Sequence, residues 1–173
     1  MGLAGELSQA ARVRLTLVAV ACAAVVAFAP HRTFLPALLP LDVGTAQVTG
    51  AVLRWCGLDV WREGPVLRHA SGFSCEIYYR CTGLLQAGFA VAMIAAWPAT
   101  ARLRWKSVVL AVTVLWTVNI VRLAGVIAVG IQRPSAFGLA HDVVGEAATV
   151  LAVLAVWVAW MRAAAGEARR SVA

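Results

Sequence analysis

The sequence is short of charge, and above all of acidic residues. Only 13% of its 173 residues are charged, and eight Asp and Glu stand against fifteen Lys and Arg. Soluble globular domains carry roughly 25% charged residues. That shortage, with 62% hydrophobic residues and a mean hydropathy of +0.83, excludes an ordinary soluble domain. The chain also lacks internal repeats and low-complexity linkers, so we predict one membrane domain over residues 1–173.

Four apolar segments approach the roughly 20 residues that a membrane-spanning helix needs. We therefore predict an all-α integral membrane protein with about four transmembrane helices, at approximately 15–29, 82–97, 107–131 and 143–161. The first segment has a basic start and an Ala27-Phe28-Ala29 ending, as a cleaved signal peptide would. Pro30 would then directly follow the cut, which is a poor arrangement, so an uncleaved anchor is favoured.

In a membrane protein, the net charge of +7 indicates the orientation of the chain in the membrane and its contact with anionic lipid. It does not indicate binding to nucleic acid here. Some segments that flank the predicted spans carry basic residues with few acidic residues to balance them. These basic residues all fall on one side of the predicted spans: Arg12, Arg14, Arg102, Arg104, Lys106, Arg162, Arg169 and Arg170. By the positive-inside rule, both termini are cytoplasmic and the loop of residues 30–81 is extracytoplasmic. We place the chain in the cytoplasmic (inner) membrane as a multi-pass protein.

The long outer loop is expected to contain structure of its own. The stretch "TAQVTGAVLRWCGL" has the spacing of an amphipathic helix lying on the membrane surface. The stretch "DVWREGPVLRHASGFSCEIYY" has short β-type runs broken at Glu63-Gly64 and Ser71-Gly72, which predicts a small β-hairpin. Cys81 ends this passage at the outer edge of the second predicted span.

The third predicted span carries polar residues inside an apolar helix. Asn119 and Arg122 are one turn apart on the same face, and Gly125 continues that face where another helix could approach closely. An arginine at mid-membrane costs roughly 2.5–3.5 kcal/mol, so such a residue is usually functional or paired. Arg122 is therefore either a site residue or half of a structural ion pair with Glu146 or Asp142, and the two roles can coexist.

The predicted topology brings three residues to the outer surface: Cys81 before the second span, Arg122 high in the third, and His141 at the start of the fourth. This trio suits acyl transfer, with the Cys81 thiolate as nucleophile. His141 would protonate the leaving amine, and Arg122 would bind the oxyanion. Such chemistry requires no metal and no cofactor.

Four neighbours of this trio have supporting or substrate-binding roles in the same interpretation. Asn119 would hold Arg122 or donate to the substrate, with helix packing as the alternative. Arg80 would lower the pKa of the adjacent thiol, with plain solvation as the alternative. Thr82 and Gly83 would begin a helix whose N-terminal dipole favours the thiolate.

These motifs resemble the exosortase/archaeosortase family. The resemblance covers roughly residues 45–162 and is carried by "CTGL" at a membrane entrance, "NIVR" in the next span and the histidine that opens the last one. It implies Cys81, Arg122 and His141 as the catalytic residues of a membrane cysteine transpeptidase. The implied substrates are exported proteins with a C-terminal motif, a hydrophobic helix and a basic tail. Many members have about eight spans, so this chain resembles a compact, core-only form.

Two other functions fit the sequence less well. A four-helix membrane thiol-disulfide oxidoreductase would use outer cysteines, but Cys75 and Cys81 are spaced more widely than a Cys-x-x-Cys pair. A non-enzymatic assembly or transport subunit would use the face of Asn119 and Arg122 to bind a partner helix. The sequence also leaves open whether Cys56 and Cys75 form a disulfide, which an extracytoplasmic loop would permit.

Overall fold

The computed structural model describes residues 13, 17, 31–97 and 99–170, and this part of the chain is mostly helical. The first predicted span, 15–29, lies outside the described residues except for Leu17. The elements follow in this order: α1 (His31–Trp55), β1 (Val60–Glu63), β2 (Val66–His69), β3 (Ser74–Glu76), a 3₁₀ turn (Tyr79–Cys81), α2 (Leu84–Ala96), α3 (Ala101–Gln132), a 3₁₀ turn (Pro134–Ala136), a π-helical segment (Leu139–Gly145) and α4 (Glu146–Arg170).

The segment between α1 and α2 contains a three-stranded antiparallel sheet in the order β1-β2-β3, where the sequence predicted only a hairpin. The first reversal is at Gly64 and the second at Gly72, and both glycines have positive φ (60° and 87°). The left-handed backbone of such turns favours glycine because other residues carry a Cβ. The second turn returns the chain along β2, so Leu67 pairs with Cys75 and a third strand forms.

Helix α1 is longer than the predicted amphipathic helix, and one of its faces is covered by protein. Asp42, Thr45, Ala46, Thr49 and Leu53 are all buried, and their spacing places them on one face of the helix. α1 packs against α3 and β1. The prediction of a helix over this stretch was therefore correct, and α3 and the sheet cover the face that carries these residues. The contact of the helix with a membrane surface stays a prediction.

Three further helices correspond to the remaining predicted spans. α3 and the combined segment Pro134–Glu167 are each long and apolar enough to cross a membrane, whereas α2 has only 13 residues. At 1.5 Å per residue, α2 is about 20 Å long and falls short of a ~30 Å hydrocarbon core. The described residues thus contain two candidate spans, and the four-span topology stays a prediction.

Helix α3 holds the fold together through two separate apolar clusters. One half of α3 packs Ala111 and Leu115 against Ile94 of α2 and Trp160 of α4. The other half packs against α1, the sheet and the 3₁₀ turn through Leu123, Ala124 and Ile127, in a cluster that includes Cys81. The second cluster therefore fixes the candidate nucleophile against α3.

The close approach that the sequence suggested at Gly125 occurs one and a half turns later, at Gly130. Gly125 is exposed, and a Cβ there would meet nothing within 4 Å. A Cβ at Gly130 would lie 2.8 Å from the Phe137 ring and would also overlap the Phe73 ring. The two rings pack edge to face with centroids 5.4 Å apart. Gly130 thus lets the sheet and the segment before α4 meet over α3.

Replacing Gly130 with alanine should destabilise the protein, because overpacking of this kind costs about 1–3 kcal/mol. Gly125→Ala is the matched control on the same helix and should leave stability unchanged or slightly raised, since alanine favours helix over glycine. Thermal unfolding of both variants in detergent micelles measures the difference. Equal midpoints for the two variants would contradict the packing described for Gly130.

Candidate active site

A cavity of about 260 Å³ lies between the sheet, α3 and the segment before α4. Cys81 and His141 both line it, although 60 residues of sequence separate them (141 − 81). The remaining lining residues are Ser74, Cys75, Glu76, Ile77, Tyr78, Leu123, Val126, Ile127 and Phe137. The fold thus brings a thiol and an imidazole to one small, largely apolar space.

The segment that carries Cys81 is fixed by hydrogen bonds on both sides of the thiol. The Cys81 carbonyl accepts a hydrogen bond of 2.7 Å from Asn119 Nδ2 of α3. The Thr82 hydroxyl donates to the Tyr79 carbonyl at 2.7 Å and closes the 3₁₀ turn. Asn119 and Thr82 are buried, so these bonds are shielded from water. The two residues hold the main chain around Cys81 rather than binding Arg122.

Gly83 allows this segment to lie directly on Asn119. Its φ is 81°, and a Cβ there would be 3.3 Å from Asn119 Cβ. Gly83 is also the N-cap of α2, which begins at Leu84. Glycine is therefore favoured by its backbone conformation and by its close contact with α3.

Arg122 joins α3 to the segment that carries His141. Its Nη2 donates to Glu146 Oε1 at 2.8 Å and to the His141 carbonyl at 3.4 Å. The guanidinium lies close to Gly145, where a Cβ would be 2.7 Å from Nε. The described residues that line the cavity do not include Arg122. The geometry thus gives Arg122 an anchoring contact and a charge behind the cavity, and offers no direct support for a contact with a substrate oxyanion.

The His141 ring is positioned by two neighbours. Its Nδ1 is 2.7 Å from Asp142 Oδ1, and Phe137 stacks on the ring at a centroid distance of 5.7 Å. A carboxylate accepts hydrogen bonds, so Nδ1 carries the proton and a neutral ring keeps its lone pair on Nε2. Nε2 is then the nitrogen that can exchange a proton with a group in the cavity.

Burial dominates the electrostatics of Cys81 and raises the pKa of its thiol above the usual value. A backbone hydrogen bond with Tyr78 and the positive charge of Arg122 lower this pKa, while the negative charges of Glu146 and Asp42 raise it. Arg122 supplies a positive charge that lowers this pKa, and the role suggested for Arg80 stays a prediction. Since the net shift is upward, the thiol needs a proton acceptor to react at neutral pH.

The other cysteines that the structure describes are free thiols. Cys56 is exposed at the end of α1, whereas Cys75 lines the cavity, so no disulfide joins them. Burial, followed by the charge of Cys81, raises the pKa of Cys75 to about 11. Cys75 is therefore the less reactive of the two cavity thiols at neutral pH.

Sequence reasoning missed two features around the site. Asp142 was considered only as a partner for Arg122, yet it pairs with His141; the adjacent His-Asp residues were the available signal. Asp42 of α1 is 1% exposed and acts electrostatically on Cys81. The sequence spacing showed that Asp42 shares a helix face with Thr45 and Thr49, but nothing in the sequence indicated which element covers that face.

Replacing Gly83 with alanine should loosen the Cys81 segment, since a left-handed conformation costs a non-glycine residue about 1–2 kcal/mol. We expect a lower unfolding midpoint and faster alkylation of Cys81 in a variant where it is the only cysteine. Gly88→Ala lies on α2, where a Cβ would meet nothing within 4 Å, and serves as the control. Unchanged alkylation in both variants would show that Gly83 does not hold this segment in place.

Comparison with known proteins gives one family. The model of the transmembrane exosortases matches residues 1–161, which is most of the chain. Searches of the curated proteins and of the solved structures each found no match. The match agrees with the long apolar helices and with the motifs around Cys81, Asn119 and His141. The chain therefore belongs to the transmembrane exosortase family and is a membrane protein.

Proposed function

We propose that this chain is a membrane-embedded cysteine transpeptidase or protease that cleaves the C-terminal sorting signals of exported proteins. The observation that carries the proposal is the shared cavity of Cys81 and His141, anchored through Arg122, in a transmembrane exosortase. Members of this family act on exported proteins, and the family implies cysteine transpeptidase chemistry. We place the site at the extracytoplasmic face of the cytoplasmic membrane, with both termini in the cytoplasm.

The proposed reaction begins with transfer of the Cys81 proton to Nε2 of His141. The thiolate attacks the scissile carbonyl carbon, and the peptide C–N bond breaks as His141 returns the proton to the leaving amine. The product is an acyl thioester on Cys81. An acceptor amine or water then attacks the thioester carbonyl and releases the free thiol.

Arg122 supports this reaction from behind the cavity. Its positive charge lowers the pKa of Cys81 and opposes the cost of burying a thiolate. Its bond to the His141 carbonyl fixes the base relative to α3, while Asn119 fixes the nucleophile relative to the same helix. One helix thus sets the separation of nucleophile and base, the kind of pre-organisation that lowers the entropy cost of reaction.

The basic residues at the start of α3 mark the side of the membrane on which the basic tail of such a substrate would also lie. A sorting signal with a hydrophobic helix and a basic tail would span the membrane beside this enzyme, with its motif at the outer face. The apolar residues that α4 leaves exposed, such as Val150, Leu151 and Leu154, are suited to contact lipid or such a helix.

A thiol-disulfide oxidoreductase is the second candidate, and one observation favours it over the non-enzymatic alternative. Cys75 and Cys81, which the sequence spacing made a poor pair, line the same cavity. Oxidation of the two thiols to a disulfide would require an external acceptor such as a quinone. Family membership favours the transpeptidase, and the next experiment separates the two.

Cys81→Ala should abolish processing of a co-expressed exported protein that carries a C-terminal sorting signal from the same genome. The loss of the nucleophile removes the acyl-enzyme route, so the substrate should remain at its unprocessed gel mobility. Cys56→Ala, an exposed thiol away from the cavity, is the matched control and should process normally.

Processing that persists in Cys81→Ala would rule out the transpeptidase. Normal substrate processing in Cys75→Ala supports it, whereas loss of a disulfide-dependent activity in both Cys75→Ala and Cys81→Ala would favour the oxidoreductase.

The alkylation rate of Cys81 should depend on pH through the charge of Arg122. Removing a positive charge that lowers the pKa of the thiol must raise that pKa, so Arg122→Gln should shift the rate midpoint to higher pH. Arg102→Gln, an exposed arginine at the opposite end of α3, is the control and should leave the midpoint in place. The measurement is the iodoacetamide rate against pH with Cys81 as the only cysteine. An unshifted midpoint in folded Arg122→Gln would show that this charge does not act on Cys81.

A further inference from the structure

The strand nearest the candidate nucleophile is an edge strand. β3 pairs with β2 on one side and is the last strand of the sheet. Its residues Ser74, Cys75 and Glu76 all line the cavity that holds Cys81 and His141. An edge strand presents unpaired N–H and C=O groups that can pair with another extended chain.

The register shows which backbone groups of β3 face outward. The His69 N–H donates to the Phe73 carbonyl and the Ile77 N–H donates to the Pro65 carbonyl, each at 3.0 Å. In an antiparallel ladder, hydrogen-bonded residues alternate along the strand. Phe73, Cys75 and Ile77 therefore direct their main-chain groups toward β2. The residues between them, Ser74 and Glu76, direct theirs to the free edge.

This outward edge is available to a ligand. Ser74 and Glu76 are exposed. Within the described residues, their N–H and C=O groups are engaged by no backbone hydrogen bond outside the ladder, and Cys75 Sγ reaches the Glu76 carbonyl only at 3.9 Å. Ser74 and Glu76 each offer one N–H and one C=O, so together they can form up to four hydrogen bonds with an added strand.

The free edge of β3 lies beside the candidate catalytic residues, and this position indicates which kind of ligand would bind to it. A substrate whose carbonyl reaches Cys81 must pass through the cavity of about 260 Å³ that the edge lines. The part of the cavity wall that α3 supplies is apolar, with Leu123, Val126 and Ile127. Side chains on alternate residues of an extended peptide would meet that wall while its backbone meets β3.

We propose that the free edge of β3 binds the substrate by strand addition: an extended segment of the exported protein, next to the scissile bond, pairs with Ser74 and Glu76. This assignment rests on the proposed function and names how its substrate is held. Main-chain pairing supplies affinity and places the scissile carbonyl, while the apolar wall selects side chains.

Proline substitution tests the pairing directly, because proline removes the N–H of one residue and is tolerated at strand edges. Glu76→Pro should slow processing of the co-expressed sorting-signal protein about ten-fold or more through loss of an outward donor and steric block. Glu76→Ala keeps the N–H and should lose less than Glu76→Pro.

Arg62→Pro is the matched control on the other edge strand, β1. Trp61 and Glu63 pair with Arg68 and Val66 of β2, whose main-chain groups point away from β3. Arg62 lies between Trp61 and Glu63 and therefore directs its N–H to the far edge of the sheet. The Arg62→Pro variant should process the substrate protein as fast as the unmodified chain does. Equal processing by Glu76→Pro and Arg62→Pro, while Cys81→Ala remains inactive, would overturn strand addition and leave the proposed function intact. Processing by Cys81→Ala would instead overturn the proposed function.

A second measurement covers the case in which Glu76→Pro does not fold. A photo-crosslinking amino acid at Ser74, in the Cys81→Ala chain, should capture the C-terminal segment of the co-expressed substrate protein. The same amino acid at Arg62 should not. Crosslinking of equal yield from both edges, or from neither, would contradict the proposal.

Discussion

A guanidinium removed from water must be paired, and Arg122 satisfies this requirement with Glu146 and with the main chain at His141. Its side chain is 5% exposed, whereas that of Glu146 is 57% exposed, so the pair lies at the boundary of the protein interior. Breaking a buried pair by removing one partner costs about 3–5 kcal/mol, and the exposure of Glu146 places this pair below that range. The location of the charge matters more than its contribution to stability, since it ties the start of α4 to α3.

Asn119 makes the complementary link one turn away. Its amide holds the Cys81 carbonyl, so the nucleophile and the histidine segment are both attached to the same face of α3. Gly83 and Gly145 permit these links because a side chain at either position would displace Asn119 or Arg122. Two polar residues and two glycines therefore fix the distance between elements that are far apart in the sequence.

The cavity that results has one polar end and one apolar wall. In the proposed reaction, Cys81 and His141 supply the chemistry, while the free edge of β3 and the aliphatic residues of α3 supply a surface for an extended chain. The proposed transpeptidase would use this combination to hold an extended substrate by main-chain contacts near the scissile bond. The small sheet between α1 and α2 would then have a use beyond covering α3.

The sequence by itself determined the membrane character, the helical content and the three residues that the proposed reaction uses. Hydrophobic length and the positions of charged residues are local properties of the chain, and they were sufficient to place Cys81, Arg122 and His141 at the same end of the helices. The α-helical period of α1 and the glycine turns of the sheet were local in the same sense.

Only the tertiary structure decided what each polar group contacts. Asn119 binds the Cys81 carbonyl, Arg122 lies behind the cavity rather than in it, and Asp142 pairs with His141 instead of Arg122. The partner of a side chain depends on which elements pack together and at what register, and this is set by the sum of many weak contacts along α3. For the same reason the sequence could not show that Cys75 shares a cavity with Cys81, that α1 is covered by α3, or that β3 has a free edge. Those facts exist only when segments distant in the chain are brought together.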